Sequence, residues 1–256
     1  MSLFISSVFT YDEDAGNYIQ AVETADTQAL EPATRKAINN FVIGCKQDGI
    51  WTAIKASCIL AGARTLAGAL VPLVGTAPAN NGFIGIGTDY VRKTGLVGDG
   101  STKYLDSNRN NNADPQNSKH LAVYRTASET RDASRAAIGN GVGAVGDSHL
   151  LSTTTTRFFR VNYTSGGDLL DASTITGFWG ASRFSAAQTA GRYNGLSGNY
   201  DNVSSAPTSG NLNIFQRTGN FSNARLAFYS IGESLDLARL DARVTDLINA
   251  FAAAIP

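Results

Sequence analysis

A mainly β, two-sheet sandwich with helices at both ends is the fold class that this sequence predicts, on three observations. From Cys58 onward, short apolar runs alternate with Gly, Pro and Asn breakers, which is the grammar of strands and turns. Asn-Gly or Asp-Gly pairs recur at Asn81-Gly82, Asp99-Gly100, Asn140-Gly141 and Asn194-Gly195, and residues that accept positive φ suit tight hairpin turns. Both ends of the chain instead carry apolar residues at helical spacing. A chain of 256 residues can bury the core of such a sandwich as one domain.

Residues 1–14 are expected to form an extended arm, apolar at Leu3, Phe4, Ile5, Val8 and Phe9 and ending in Asp12-Glu13-Asp14. Those carboxylates fit a helix start, where the macrodipole favours negative charge. A first helix is predicted from about Ala15 to Thr24, with Tyr18, Ile19, Val22 and Ala25 on one face. A second opens at Thr27 or Leu30, with Glu31 and Pro32 in its first turn. Its stripe is Ala33, Ala37, Ile38, Phe41, Val42 and Cys45, and Gly49 closes it. Asp48 can cap a further turn over Ile50 to Lys55, in which Trp51 reads as a core anchor.

Candidate strands then follow at Tyr90 to Leu96, Lys103 to Leu105, His120 to Thr126, Ser134 to Gly139 and Arg157 to Val161. Further ones are Ile175 to Ser182, Gly191 to Tyr193, Leu212 to Phe215 and Ala224 to Ile231. Leu121 and Val123 alternate with Ala122 and Tyr124, as in sheets that are apolar inside and polar outside. Leu235 to Ala253 has Leu237, Leu240, Val244, Leu247, Ile248 and Phe251 at helical spacing. This helix either docks on the sandwich or pairs with copies from neighbouring subunits. The expected organisation is an arm and helical segment over 1–56, the sandwich over 57–232 and the terminal helix over 233–256.

Composition excludes several function classes. The 21 basic and 21 acidic residues cancel, and backbone-phosphate binding needs a basic excess or stripe, so nucleic acid is not an expected partner. Charged residues make up only 16%, which suits a rigid β protein or a subunit of a larger assembly rather than a disordered chain. The longest apolar-and-small stretch, Cys58 to Leu73, holds Arg64, two glycines and Pro72, so no membrane insertion is expected. Met1 to Thr10 lacks the basic region and long apolar run of a secretory signal. Cys45 and Cys58 form no metal-ligand pattern with the distant His120 and His149; a disulfide and buried thiols both fit, and the apolar surroundings favour thiols.

Three blocks and the chain's ending carry a resemblance. Gly191-Arg-Tyr-Asn-Gly195, the strand at Leu212 to Phe215, Phe228-Tyr-Ser-Ile-Gly232 and then Glu233-Ser-Leu-Asp236 resemble the end of laminin-G-like, or concanavalin A-like, jelly-roll domains. Asn39-Asn-Phe-Val-Ile-Gly-Cys-Lys-Gln-Asp-Gly-Ile-Trp51, Gly95-Leu-Val-Gly-Asp-Gly-Ser-Thr-Lys-Tyr-Leu-Asp106 and the Leu237 to Ala250 helix together resemble a class of tailed-bacteriophage and prophage structural proteins. The resemblance spans nearly the whole chain. It implies virion association, often as a tail fibre, baseplate or capsid-surface component. Together with the residue patterns themselves, the expectation is a non-enzymatic surface component assembled in the host cytoplasm. Other virion proteins, further copies of the chain, most simply as a trimer, and a host-surface glycan are the partners expected with it. Capsid decoration or a head-fibre role, and a glycan-degrading enzyme, are its rivals.

Two polar runs supply candidate ligand-binding residues: Asn108, Asn110 and Asp114 in Ser107 to Asp114, and Tyr193, Tyr200 and Asp201 around Gly195 to Gly210. Amides, carboxylates and aromatic faces suit sugar hydroxyls and rings. Asn108-Arg-Asn-Asn-Asn lacks the alternation of a calcium loop, so no metal or cofactor is expected. Catalysis finds no support. The five Glu (13, 23, 31, 129 and 233) stand in no pattern that would place two carboxylates together on a strand. Asp168 and Asp171 read as a turn and its cap. Asp147-Ser148-His149 reads as loop, because neighbouring side chains on a strand point apart, and His120 as a partly exposed sheet residue. The glycine-rich Gly85-Ile-Gly87 and Gly139 to Gly146 do not join a strand to a helix in the dinucleotide pattern.

Overall fold

Two stacked antiparallel sheets dominate the computed structural model, which describes residues 10–164, 168–170 and 176–256. Helix α1 (Glu13–Asp26) starts where the Asp12 carboxylate accepts from the Asp14 N–H, and ends at Thr27 in the left-handed region, φ 53°. Helix α2 (Pro32–Gln47) has proline in its first turn. Glu31 before it makes no capping bond and instead pairs with Arg92 at 2.8 Å and Arg64 at 3.1 Å. The expected stripes are buried, except that Ala25 is half-buried and Thr34 takes the place of exposed Ala33. Arm residues 1–9 lie outside the described residues.

The helical turn expected over Ile50 to Lys55 does not extend that far. Trp51–Ala53 forms one 3-10 turn, and Ile54–Ile59 is already strand β1. β-Branched Ile54 and Ile59 suit a strand, and pairing with a distant segment overrides the local helical spacing. Trp51 is half-buried rather than a core anchor, with Lys46 Nζ 5.7 Å from its ring centre.

After the short helix α3 (Leu66–Ala69) come β2 (Ala79–Asn81), β3 (Tyr90–Val91), β4 (Gly95–Val97), β5 (Tyr104–Asn110), β6 (Lys119–Ala127) and β7 (Arg135–Gly139). They are followed by β8 (His149–Ser152), β9 (Thr156–Arg160), β10 (Asp168–Leu170), β11 (Gly177–Arg183), β12 (Gln188–Tyr193) and β13 (Leu196–Asp201). The chain closes with β14 (Asn211–Ile214), β15 (Gln216–Arg217), β16 (Asn220–Phe221), β17 (Arg225–Gly232) and helix α4 (Leu237–Ala254). One sheet runs β13-β12-β11-β6-β17-β4-β3, with β1 also on β17. The other runs β10-β9-β8-β7-β14-β5-β2, with β15 and β16 attached. This is the mainly β jelly-roll sandwich with terminal helices that the sequence predicts.

Asn194 (φ 44°) and Gly195 (φ 79°) both take the left-handed conformation and close the β12–β13 hairpin in two residues. Asp99-Gly100 and Asn81-Gly82 serve differently, since each lies on a connection between the two sheets. The polar run Gly195 to Gly210, expected as a loop, contributes β13. Asp168 is strand rather than turn, and Asp171 lies outside the described residues.

Leu121, Val123, Trp179 and Tyr229 of the first sheet face Ile138, Leu150, Phe159 and Ile214 of the second. The first sheet's outer face is covered by α2 and α4: Phe41 meets Phe228 edge-on at 5.7 Å, and α4 packs along α2 and over β11 and β12. A Cβ added at Gly180 would come within 3.0 Å of Leu237, so glycine there sets how closely α4 approaches. All six apolar residues of the α4 stripe are buried within the chain. Cys45 and Cys58 are free, and burial pushes both thiols up to about 12. Among the described residues no helix is long and apolar enough to cross a membrane.

Candidate functional site

The loops 111–118, 140–148, 161–164, 184–187 and 202–210 gather at one end of the sandwich, because every strand they join begins or ends there. Beneath them lies a layer of buried polar side chains. Lys119 is fully buried and donates to the backbone carbonyl of Asn111 and, at 2.6 Å, to its Oδ1. The Asn111 amide in turn donates to the carbonyls of Gly146 (3.0 Å) and Thr208 (3.1 Å). Arg183, also buried, donates to the carbonyls of Val161 (2.7 Å) and Ser185 (3.0 Å) and to Asn202 Oδ1 (3.0 Å). The Asp147 carboxylate accepts from the Gly143 and Ala144 N–H groups, both at 2.8 Å, and from Thr208 Oγ1 at 2.5 Å. The loops are thus held from below by side chains that satisfy their backbone.

Two of these cations sit on neutral oxygens, and burial lowers both: Lys119 to about 7, and Arg183 to about 10. Between pH 7 and 10.5, the ordinary lysine value, the unfolded chain holds a proton on Lys119 that the folded chain has lost. Stability carried by this residue therefore rises with pH across that window. Relative to Lys119→Met, the melting temperature of the native protein is expected to climb from pH 7 upward; parallel profiles would contradict this.

The sequence-predicted site residues separate into two groups. Asn108 is exposed, with φ 55°, and its amide donates to the Ala77 carbonyl at 2.8 Å. Asn110 Oδ1 accepts from the Asn112 N–H at 3.1 Å, capping the turn that follows. Asp114 is buried and held by the Arg109 guanidinium, with Nε at 3.0 Å. All three thus shape the β5 end. Tyr193 and Tyr200 point into the sandwich: Tyr200 stacks on Phe159 at 5.3 Å and 10°, and Tyr193 lies 6.0 Å from the same ring. Asp201 is exposed and accepts from Gln188 Nε2 at 2.9 Å. Four strand steps separate β5 from β9, which carries Phe159, roughly 19 Å at sheet spacing. The two groups do not converge.

The other chemically capable residues are placed as structural parts. His120 is fully buried rather than partly exposed: Nδ1 lies 2.6 Å from the Glu233 carbonyl and Nε2 2.7 Å from Ser230 Oγ. Burial lowers it to about 4, so the neutral ring donates from Nδ1 and ties down the turn before α4. Asp147 and Ser148 lie in the loop 140–148, as expected, but are buried, and His149 is buried at the first position of β8. Ser148 Oγ donates to Asn162 Oδ1 at 3.0 Å, while His149 opens β8 and meets Phe158 and Tyr163 edge-on. Glu129 is buried against Arg125 at 2.8 Å. Among the described residues, no group of three or more His, Cys, Asp or Glu is placed to hold a metal ion.

Sequence reasoning missed Lys119 and Arg183, each of which falls one residue outside a predicted strand. It also missed the outward side of the β12–β13 hairpin. The signal was there, since period-two alternation that turns Tyr193 and Tyr200 inward turns Arg192, Ser197 and Asn199 outward.

No family model matches the chain, and no curated protein matches it in sequence. Solved structures do share its fold. A structure of botulinum neurotoxin type C concerned with its interaction with two ganglioside molecules is 10% identical over 78% of this chain, with TM-score 0.51. The binding domain of botulinum neurotoxin DC in complex with rat synaptotagmin II is 9% identical over 78%, with TM-score 0.50. The receptor binding domain of the C/D mosaic serotype is 11% identical over 76%, also with TM-score 0.50. The match covers about half of each of those chains, 52%, 52% and 51%. At such identity the likeness establishes the two-sheet sandwich alone.

Proposed function

We propose that this chain is a non-enzymatic surface component of a phage particle, whose sandwich recognises glycans on the host surface. The observation that carries the reading is the loop end held from beneath by Lys119, Arg183, Asn111 and Asp147. Loops fixed by a rigid scaffold keep their outward side chains available for contact, which is how sandwich domains present binding surfaces. Glu129, His120 and His149 are committed to packing and pairing, which favours recognition over glycan degradation. The fold shared with neurotoxin binding domains, and with a neurotoxin structure concerned with two ganglioside molecules, supports the same direction.

Exposed sugar sites bind weakly one at a time, so attachment depends on several copies displayed together, as in the proposed trimer. The apolar arm, Leu3 to Phe9, is the segment proposed to join another virion protein. Deleting residues 1–9 is expected to leave a soluble, folded protein that no longer enters particles, read by antibody labelling of purified particles. Full labelling of particles assembled with the truncated chain would remove the anchor. Absence of the intact chain from particles would remove the virion role itself.

A further inference from the structure

We infer that the outward face of the β12–β13 hairpin, next to the start of α4, is a groove that binds one neutral sugar residue; this rests on the recognition role proposed above. Alternation sorts the hairpin into two faces. A Cβ added at Gly191 would come within 2.6 Å of Tyr200 and 2.8 Å of Phe159, so Gly191, Tyr193 and Tyr200 belong to the inner face. Ala190, Arg192, Ser197 and Asn199 belong to the other, where with Phe184 and the first residues of α4 they line a groove of about 230 Å³.

Its chemistry suits a pyranose. Phe184 is 53% exposed at one end, a ring face against which the C–H face of a sugar can stack. The ring is carried on a turn that Arg183 fixes through the Ser185 carbonyl at 3.0 Å, so the platform is preorganised. The small side chain of Ala190 leaves room behind it. Ser197 Oγ accepts from Arg192 Nη1 at 2.7 Å, which leaves the hydroxyl's own hydrogen for an acceptor in the groove. Asn199 is exposed and offers an amide donor and acceptor. Asp236 Oδ1 is engaged by the N–H groups of Ala238 (2.8 Å) and Arg239 (3.2 Å), while Oδ2 remains able to accept from a sugar hydroxyl. A concave site with one apolar platform and a few placed polar groups is the usual form of a small-ligand pocket.

Charge selects among sugars. Arg192 is paired with Asp241 at 2.7 Å, and Asp236 faces Arg239 at 3.5 Å as well as the first turn of α4. Each charge in the groove has its counter-charge, so nothing there favours a carboxylate or phosphate on the ligand. A neutral hexose fits; a sialylated or phosphorylated residue does not.

The test uses the full chain, displayed multivalently on fluorescent beads, against printed oligosaccharides ending in galactose, glucose or mannose and their sialylated counterparts. Native protein is expected to bind neutral termini, with Phe184→Ala lowering binding about tenfold and Asn199→Ala several-fold. Both residues are exposed, so the melting temperature should not move. Undiminished binding by both variants would overturn the groove assignment while leaving the recognition role in place. Binding confined to sialylated termini would overturn it as well. No binding of the native protein to any printed glycan would remove the recognition role and the groove together.

Discussion

Leu240→Asp is expected to leave little folded protein at 25 °C. Leu240 is fully buried in the α4 stripe, between α2 and the outer face of the first sheet. Losing that burial removes roughly 1.5–3 kcal/mol. A carboxylate in its place is buried and adds a desolvation penalty of about the same size or more. The sum, about 3–6 kcal/mol or more, reaches the lower end of the stability of an ordinary domain, about 5–15 kcal/mol. Leu240→Ala, which leaves only a cavity, should cost about 2–5 kcal/mol and remain folded. Because the stripe is used inside the chain, the loss should be of folding, read by circular dichroism, rather than of association between copies. A Leu240→Asp protein with native ellipticity and an unchanged melting temperature would contradict the packing described for α4.

Glu129→Ala carries the second large effect. Glu129 pairs with Arg125 at 2.8 Å inside the sandwich and accepts from Ser152 Oγ, and the Arg125 guanidinium lies 3.9 Å from the centre of the Trp179 ring. Burial by itself would raise the Glu129 carboxyl, but the Arg125 charge and the Ser152 hydroxyl outweigh it and hold it below the ordinary range. Its contribution is therefore present above the ordinary carboxylate range and is lost as the pH falls through the lowered value. Removing it leaves Arg125 buried beside Trp179 without its carboxylate, a change that costs about 3–5 kcal/mol. The double replacement Arg125→Met with Glu129→Leu should recover most of that loss, since an apolar pair of similar volume carries no such penalty. A single variant as stable as the native protein, or a double variant no better than the single, would show that the pair is not what closes this part of the core.

Much of the architecture was legible because it is periodic. Leu121 and Val123 face inward as their alternation requires, and Asn194-Gly195 makes a two-residue hairpin because both residues tolerate positive φ. Strand β1 was hidden because Trp51 and Ile54 also fit one turn of helix. Pairing with β17, from Ile59↔Phe228 to Ile54↔Gly232, decides the matter, with a bridge from Ser57 to Val74 on its other edge. β13 was hidden for a different reason: Leu196 to Asp201 reads as a glycine-containing polar run, and its strand character comes from pairing with β12.

The candidate site was less legible than the fold. Asn108, Asn110 and Asp114 are rich in ligand-type atoms, yet short polar side chains near turns most readily satisfy their own backbone or a local partner. Tyr193 and Tyr200 drew attention as aromatic residues on a polar hairpin, but Phe159 on the facing sheet takes their rings into the interior. Lys119 and Arg183 were unreadable as buried cations, since what holds them is a set of carbonyl oxygens brought together only by the folded loops.

The central claim is recognition without chemistry, and one paired measurement tests it most directly. Purified chain, displayed multivalently, is incubated with host cell-surface polysaccharide, and retained protein and released reducing sugar are followed in the same samples. Saturable retention with no sugar released is the predicted result. Retention accompanied by steady release of reducing ends, or no retention at any density of display, would contradict it.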